Sequence, residues 1–441
     1  MTKDFRNIKN GVLIPSYDYA DQPEIIIAKD GTMICAVTTA KGDEGASGTF
    51  VGISRSYDGG KSWSELERID DCPYESSYST LIMTDYGRIY CFYDLNDEGF
   101  TNDDIFTEPD GTRAKVWRYD MGYGIFCFKY SDDNGETWRY VSELFPCFWG
   151  KMFIHKEKLY MLACSTEYGD LLIGCSEDGG KTFGAPSVLL RGTARGTAAG
   201  IHKNPQNIVK YNGRIYETLE WGQWAQGYHA PMIMSCNEDV DLLNPENWHF
   251  TPPVKYDSNW DGVAKGQSSG NIEGTLVIFP DGKLYNIMRY DMSRTTPNFG
   301  LVIAYKVNTD NPDAPLEYSH SIEFPANHSK FMIKKDNITN TYYTIASRIL
   351  SANHANCRNL LSLMKSNDMK KWDLVCDLID KRDENPNYIG FQYVDFEIEN
   401  ADIIALIRIG MNNPHNFHDS NYSTFYRIKN FRELPQPCSA K

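Results

Sequence analysis

The sequence predicts an all-β chain folded as a β-propeller of four-stranded antiparallel blades. Two observations predict it: one strand–turn–strand pattern is written about seven times along the 441 residues, and a shorter turn signature sits at the same place in four copies. Units repeated every roughly 50 to 70 residues mark propeller blades, because one blade cannot bury both its faces and must stack on neighbours.

The first pattern is an apolar strand, a tight turn rich in Asp, Gly or Asn, and a second strand. Clear copies are PEIIIAKDGTMICAV from Pro23, STLIMTDYGRIYCFY from Ser79, NIVKYNGRIYETLEW from Asn207 and GTLVIFPDGKLYNIM from Gly274. Weaker copies begin near Lys151, Lys330 and Phe391, giving seven blades, the unit from Gly200 to Trp248 included. The expected organisation is a single domain, 1–434, closed by the N-terminal strand, with a tail at 435–441. The second signature runs from Ser56 to Trp63, Ser131 to Trp138, Ser176 to Phe183 and, in degenerate form, Ser366 to Trp372. Its Asp can accept backbone N–H groups across the hairpin, its Gly supplies positive φ, and its aromatic packs between neighbouring sheets. These turns read as braces rather than as chemistry.

Each blade runs outward from the axis, so its turns alternate between two faces. The tight turns fall on one face. The long polar loops 39–49, 95–123, 221–229, 291–299, 351–357 and 410–421 fall on the other, where a rigid scaffold carries binding and catalysis.

Hydrophobic residues at 41% and charged residues at 23% suit a globular chain with a large core. A net charge of -15 argues against nucleic acid or an anionic membrane as partner. No run of about 18 apolar residues occurs, and the first residues carry no apolar core, so cytoplasmic location is expected for the chain as given. The eleven cysteines include Cys35, Cys91, Cys127, Cys164 and Cys175 within apolar strands. They read as buried free thiols in a reducing compartment, with no zinc spacing, and neither a metal nor a cofactor is expected.

Polar residues that a plain core would not use stand at the starts of the innermost strands: Asp21, Gln22, Glu75, His202, Glu273, His328 and Tyr393. They are expected to ring the channel mouth on the long-loop face, either as a binding site or as strand caps and water ligands.

With these residues in place, the chain resembles the sialidases, whose Asp-boxes the four turn signatures match. That family carries a Glu and an Arg in a pattern like NE...DG.L..N.R, and here Asn271-Ile-Glu273 through Asp281-Gly-Lys-Leu to Asn286-Ile-Met-Arg289 is similar, with one residue inserted. Arg358, eight residues before Ser366, resembles the family's later arginine, and Tyr393 in Gly390-Phe-Gln-Tyr393 resembles its nucleophile. The resemblance implies a retaining exo-glycosidase in which Glu273 deprotonates Tyr393. Asp43 or Glu44 of the first long loop would supply the acid/base, and Arg289 and Arg358 would clamp an anionic group. Two features depart from the family. Sialidases have six blades, and their first blade opens on Arg-Ile-Pro where this chain has Asp21-Gln22-Pro23. An Asp there points to a neutral or differently charged sugar, with Asp21 holding hydroxyls or acting as a second carboxylate with Glu273.

The last loop holds His415 and His418, which together with His202, His229, His328 and His354 could bind sugar hydroxyls, serve β-elimination or hold a metal. Trp221 and Trp224 are read as stacking platforms, Trp149 as a platform or an inter-blade plug, and the acidic run 94–104 as a solvated lid or a calcium site. The reading is an exo-acting glycoside hydrolase cleaving a terminal, possibly acidic, sugar. The alternatives are a lyase acting on uronates with Tyr393 or a His as base and acid, and a non-catalytic glycan-binding propeller.

Overall fold

The computed structural model describes residues 11–42, 46, 48–96, 105–107, 113–115, 125–144, 147–193, 198–204, 208–324, 326 and 329–434. Seven antiparallel sheets follow one another along the chain, each laid from an innermost strand outward. The innermost strands of blades 1, 2 and 3 are Tyr19–Ile27, Glu75–Met83 and Phe148–His155. Those of blades 5, 6 and 7 are Asn271–Ile278, Lys334–Asp336 and Gly390–Glu399. In blade 4 the innermost position is shared by two short strands, Gly200–His202 and Val209–Tyr211, both paired with Arg214–Gln223. Seven blades are therefore present, and the unit from Gly200 to Trp248 is a true blade.

The ring closes through the chain start: Val12–Ile14 pairs with Tyr422–Ile428 and completes blade 7 as its outer strand. The C-terminal turn is tied back onto blade 6, where Arg432 donates from Nε and Nη2 to the two Asp336 oxygens, both at 2.8 Å. Paired forks of this kind are directional as well as strong.

Turn chemistry explains the plain face. Asp58 accepts from the backbone N–H groups of Lys61 and Ser62 at 2.9 and 3.0 Å, while Ser56 Oγ accepts from Gly60 N at 2.8 Å. Asp133 and Asp178 repeat this with Thr137 and Thr182. In the degenerate copy Met369 takes the left-handed turn position, φ 62°, that glycine holds elsewhere. The turn aromatics pack backward onto the preceding blade: Trp63 lies 5.5 Å from Phe425 of blade 7 and Trp372 lies 5.2 Å from Phe324 of blade 5. Gly60 has φ +87° and a Cβ there would stand 2.0 Å from the Phe425 ring, so the brace demands glycine twice over.

Packing between blades follows strand alternation. On Arg214–Gln223, Ile215, Leu219 and Trp221 face blade 3, while Tyr216 joins the cluster shared with blade 5. The described cysteines are free, and seven of these nine are buried. Among the described residues, no helix is long and apolar enough to cross a membrane.

Candidate active site

Five of the seven innermost strands carry the same defect at the same depth. The register shifts between Asp21 and Glu24, Ser77 and Thr80, Phe148 and Lys151, Ile272 and Thr275, and Gln392 and Asp395. In each case two residues face one on the partner strand, a bulge that re-aims the first of the two. Four of these first residues are Tyr78, Trp149, Glu273 and Tyr393, with φ of 54°, 48°, 55° and 49°. Side chains of this size in left-handed backbone cost of order 1 kcal/mol each or more. Four such residues at one level of the axis mark a ring held against its local preference.

The ring brings Glu273 and Tyr393 together, with arginines between them. Arg289 Nε lies 3.0 Å from Glu273 Oε2 and reaches the Tyr393 phenol. Lys330 Nζ donates to the Glu273 carbonyl at 2.9 Å. Arg358 donates to Gln392 Oε1, and its guanidinium lies 5.4 Å from the Phe417 ring. Burial pushes the Glu273 carboxyl up, but Arg289, Lys330, His202 and Arg358 outweigh it and hold the group below the ordinary carboxylate value. Burial, then the Glu273 charge, push the Tyr393 phenol upward against three arginines. Burial also lowers Lys330 to about 8 and Arg358 to about 10. The local field is thus cationic in a chain of net charge -15.

Asp21 requires a correction. It does not stand open at the axis: its carboxylate is paired with Arg408, both side chains 2% exposed, and accepts from Tyr19 Oη at 2.7 Å. Arg408 in turn lies 5.4 Å from the Tyr393 ring. Asp21 therefore neutralises an arginine behind Tyr393 instead of facing a sugar. Glu75 is buried three residues before the ring residue Tyr78, and its charge acts on Asp94. Trp221 is half-buried and packs one side against the core between blades 3 and 4. Trp224, three residues on, is 49% exposed.

His418 joins the site edge-on, its ring 6.3 Å from Tyr393, and its Nδ1 meets Asp419 Oδ1 at 3.0 Å. Gln392 holds this loop by donating to the carbonyls of Phe417 and His418. His415 is exposed on the same loop. Asp43, Glu44 and His328 lie outside the described residues, as do the side chains of Gln22 and His354. Among the described residues no three His, Cys, Asp or Glu side chains gather as a metal site.

A second cluster adjoins the ring from blades 3 and 4. His202 Nδ1 meets Glu220 Oε2 at 2.7 Å, and the His202 ring stands edge-on to Trp149 at 4.7 Å. His229 lies 5.2 Å from His202, and its Nε2 is 3.1 Å from Tyr168 Oη. Burial lowers His202, but Glu220 outweighs it and raises the ring's pKa. Burial and then His202 depress His229 to about 3, which keeps it neutral at pH 7.

Tyr78, Arg408, Lys330, Tyr168 and Glu220 were not singled out in the sequence. A signal existed for two of them. Arg289, Arg408 and Glu220 are the cross-strand partners of Ile272, Gln392 and His202, so aligning second strands puts all three at one depth.

Glu217 lies beyond this layer in the core between blades 3 and 4, fully buried and with neither oxygen hydrogen-bonded. Burial raises it from 4.5 to about 7. The native state then holds a proton that the unfolded chain releases, so this group's contribution is intact below pH 4.5 and is lost as pH rises through 7. Glu217→Gln is expected to match the wild type at pH 5 and to exceed it by up to about 3 kcal/mol at pH 8 in denaturant melts. A wild type whose stability relative to the variant does not change across that range would refute the assignment.

No protein-family model matches the chain, and no curated protein matches it. Solved structures do. An ulvan lyase assigned to a new polysaccharide lyase family aligns over 95% of this chain and 96% of its own, at 12% identity and a TM-score of 0.58. The structure of this lyase bound to a glycan of glucuronic acid and 3-sulfated rhamnose aligns over the same shares, 95% and 96%, at 12% identity and a TM-score of 0.56. An intramolecular trans-sialidase from Ruminococcus gnavus aligns over 96% of each chain at 15% identity and a TM-score of 0.45. By fold, the chain is a seven-bladed β-propeller of four-stranded antiparallel blades.

Proposed function

We propose that the chain is a glycoside hydrolase that seats an anionic sugar at the ring and cleaves its glycosidic bond through Tyr393. The observation carrying this reading is the placement of Glu273 and Tyr393, both in left-handed backbone on facing bulges, with Arg289 reaching each of them. Glu273, held ionised, takes the phenol proton as the Tyr393 oxygen bonds to the anomeric carbon. The bond to the leaving oxygen breaks as that oxygen gains a proton, and the role of donor is assigned to Asp43 or Glu44. Water then attacks the same carbon and frees the tyrosine. Arg289 and Arg358 hold the sugar's anionic group, and a neutral nucleophile avoids repelling it.

A second reading is favoured by His229. Its contact with the Tyr168 phenol sets a basic nitrogen beside a hydroxyl donor, and β-elimination on a uronate needs a base and an acid beside a cation. The resemblance to a lyase fold agrees with it without deciding it.

Product chemistry separates the two. Aryl glycosides of acidic sugars and polysaccharides containing uronate are offered to the wild type. Hydrolysis is expected, with new reducing ends and no ultraviolet absorbance. Absorbance from an unsaturated uronate overturns hydrolysis in favour of elimination, and neither product from any substrate overturns both.

A further inference from the structure

Outside the ring, the long-loop face holds a cleft of about 500 Å³ between blades 4 and 5. That volume falls within the usual range for ligand sites. Its floor is a two-stranded ribbon, Lys265–Gln267 against Arg294–Thr296, with Gln267 paired to Arg294. One wall is the 3-10 turn Trp224–Gln226 and the other is Tyr256 to Ser258.

The cleft is built rather than incidental. Gly266 has φ +124° and a Cβ there would stand 2.5 Å from the Arg294 carbonyl, so the ribbon closes only with glycine. Lys265 Nζ donates to the carbonyls of Ser258 and Trp260 at 2.6 and 3.2 Å and fixes the far wall. Asp257, also in the lining, accepts at Oδ1 from the N and Nδ2 groups of Asn259 at 2.8 and 2.9 Å. Arg294 is exposed in the lining, and among the described residues no carboxylate pairs with it.

A chain of ring contacts links the cleft's wall to the ring. Trp224, in the same 3-10 turn as the lining residue Gln226, lies 4.3 Å from His229, His229 lies 5.2 Å from His202, and His202 touches Trp149 of the ring. Gly270, just past the cleft floor, packs directly on the His229 backbone.

We propose that this cleft is a second sugar subsite, which takes the glycan chain beyond the unit seated in the ring and holds its carboxylate or sulfate on Arg294. The proposal rests on the reading of the ring as the catalytic centre, and it extends the substrate class. The glycan would carry acidic groups on more than one unit, and chains longer than a disaccharide would be preferred. Polar lining suits hydroxyls, and a solvent-facing arginine that no described carboxylate pairs with is the group that reads an anion.

The test compares a uronate-containing disaccharide with the hexasaccharide of the same repeat, using the wild type, Arg294→Ala and Ser258→Trp. The second variant fills the cleft without removing a charge. Both variants are expected to raise KM for the hexasaccharide about tenfold, the loss expected for one charge-assisted contact. Turnover of the disaccharide should stay unchanged. Equal effects on both lengths, or none on the longer, would overturn the subsite. If the wild type turns over neither sugar, the reading of the ring fails, and hexasaccharide binding by calorimetry decides the cleft alone. Tenfold weaker binding in Arg294→Ala then supports it, and unchanged or absent binding overturns it.

Discussion

Glu273→Gln is expected to lower kcat by about 10²- to 10⁴-fold, the usual worth of a positioned proton-transfer group. The substitution keeps the shape of the side chain and removes its charge. Arg289, which meets Glu273 at 3.0 Å, then loses its carboxylate, and a stability cost of about 2 kcal/mol follows for one charged contact in a largely buried setting. The sign with pH is fixed by the direction of the shift. The folded carboxyl is held below its ordinary 4.5, so the stabilisation is present above that value and fades as pH falls through the lower folded value. Wild type and variant should therefore converge in acid and separate near neutrality. Activity and stability thus part company, because a loss of a few kcal/mol in a folded enzyme leaves the site populated, whereas removal of the base acts on every turnover. The comparison with His229→Ala tells the two chemistries apart. If elimination through His229 is the reaction, that variant takes the large loss, and Glu273→Gln, which only frees Arg289, loses less than about tenfold. A Glu273→Gln enzyme with wild-type kcat on a hydrolysed substrate would refute the role given to the carboxylate.

The propeller was legible in the sequence because its determinants are local. Turn signatures such as Ser56 to Trp63 fix a hairpin within eight residues, and the same pattern repeated announces blades. Seven could be counted because Asn207 to Trp221 repeats the strand pattern even though its innermost strand is split. The ring was half legible. Glu273 and Tyr393 stood out as polar groups at strand starts, but Tyr78 and Trp149, which sit at the same bulge, read as ordinary strand aromatics. A bulge is set by pairing with the neighbouring strand, and one strand alone carries no trace of it. Asp21 failed for a related reason. Its partner Arg408 is 387 residues away in sequence, brought close only when blade 7 closes beside blade 1. The face that Trp221 turns to the inter-blade core was hidden for the same reason: one step along a strand separates its two faces, and the register with Ala230 sets which is which.

Asp21→Asn is expected to destabilise the fold by about 3 to 5 kcal/mol, the range for breaking one partner of a buried ion pair. Both side chains are 2% exposed, so water cannot replace the lost carboxylate, and the cost is that of a buried arginine whose charge is no longer balanced. Arg408→Met should cost a similar amount from the other side, leaving Asp21 with the Tyr19 hydroxyl. Removing both partners together should be far less harmful than the sum, because the double variant leaves no unbalanced charge; a double-mutant cycle in denaturant measures this coupling. A functional consequence accompanies the structural one. Arg408 lies 5.4 Å from the Tyr393 ring, and the carboxylate of Asp21 paired with it opposes its field there. With Asp21 neutral, the full cation favours the phenolate, so the Tyr393 pKa should fall and the corresponding limb of the pH–rate profile should move to lower pH. In the double variant both charges are gone, and that limb should return close to its wild-type position. A pure packing role predicts lost stability with no movement of the limb, and that outcome would reduce the pair to scaffolding. Movement that reverses in the double variant would make Asp21 and Arg408 positioning residues for Tyr393, acting from behind the ring through charge.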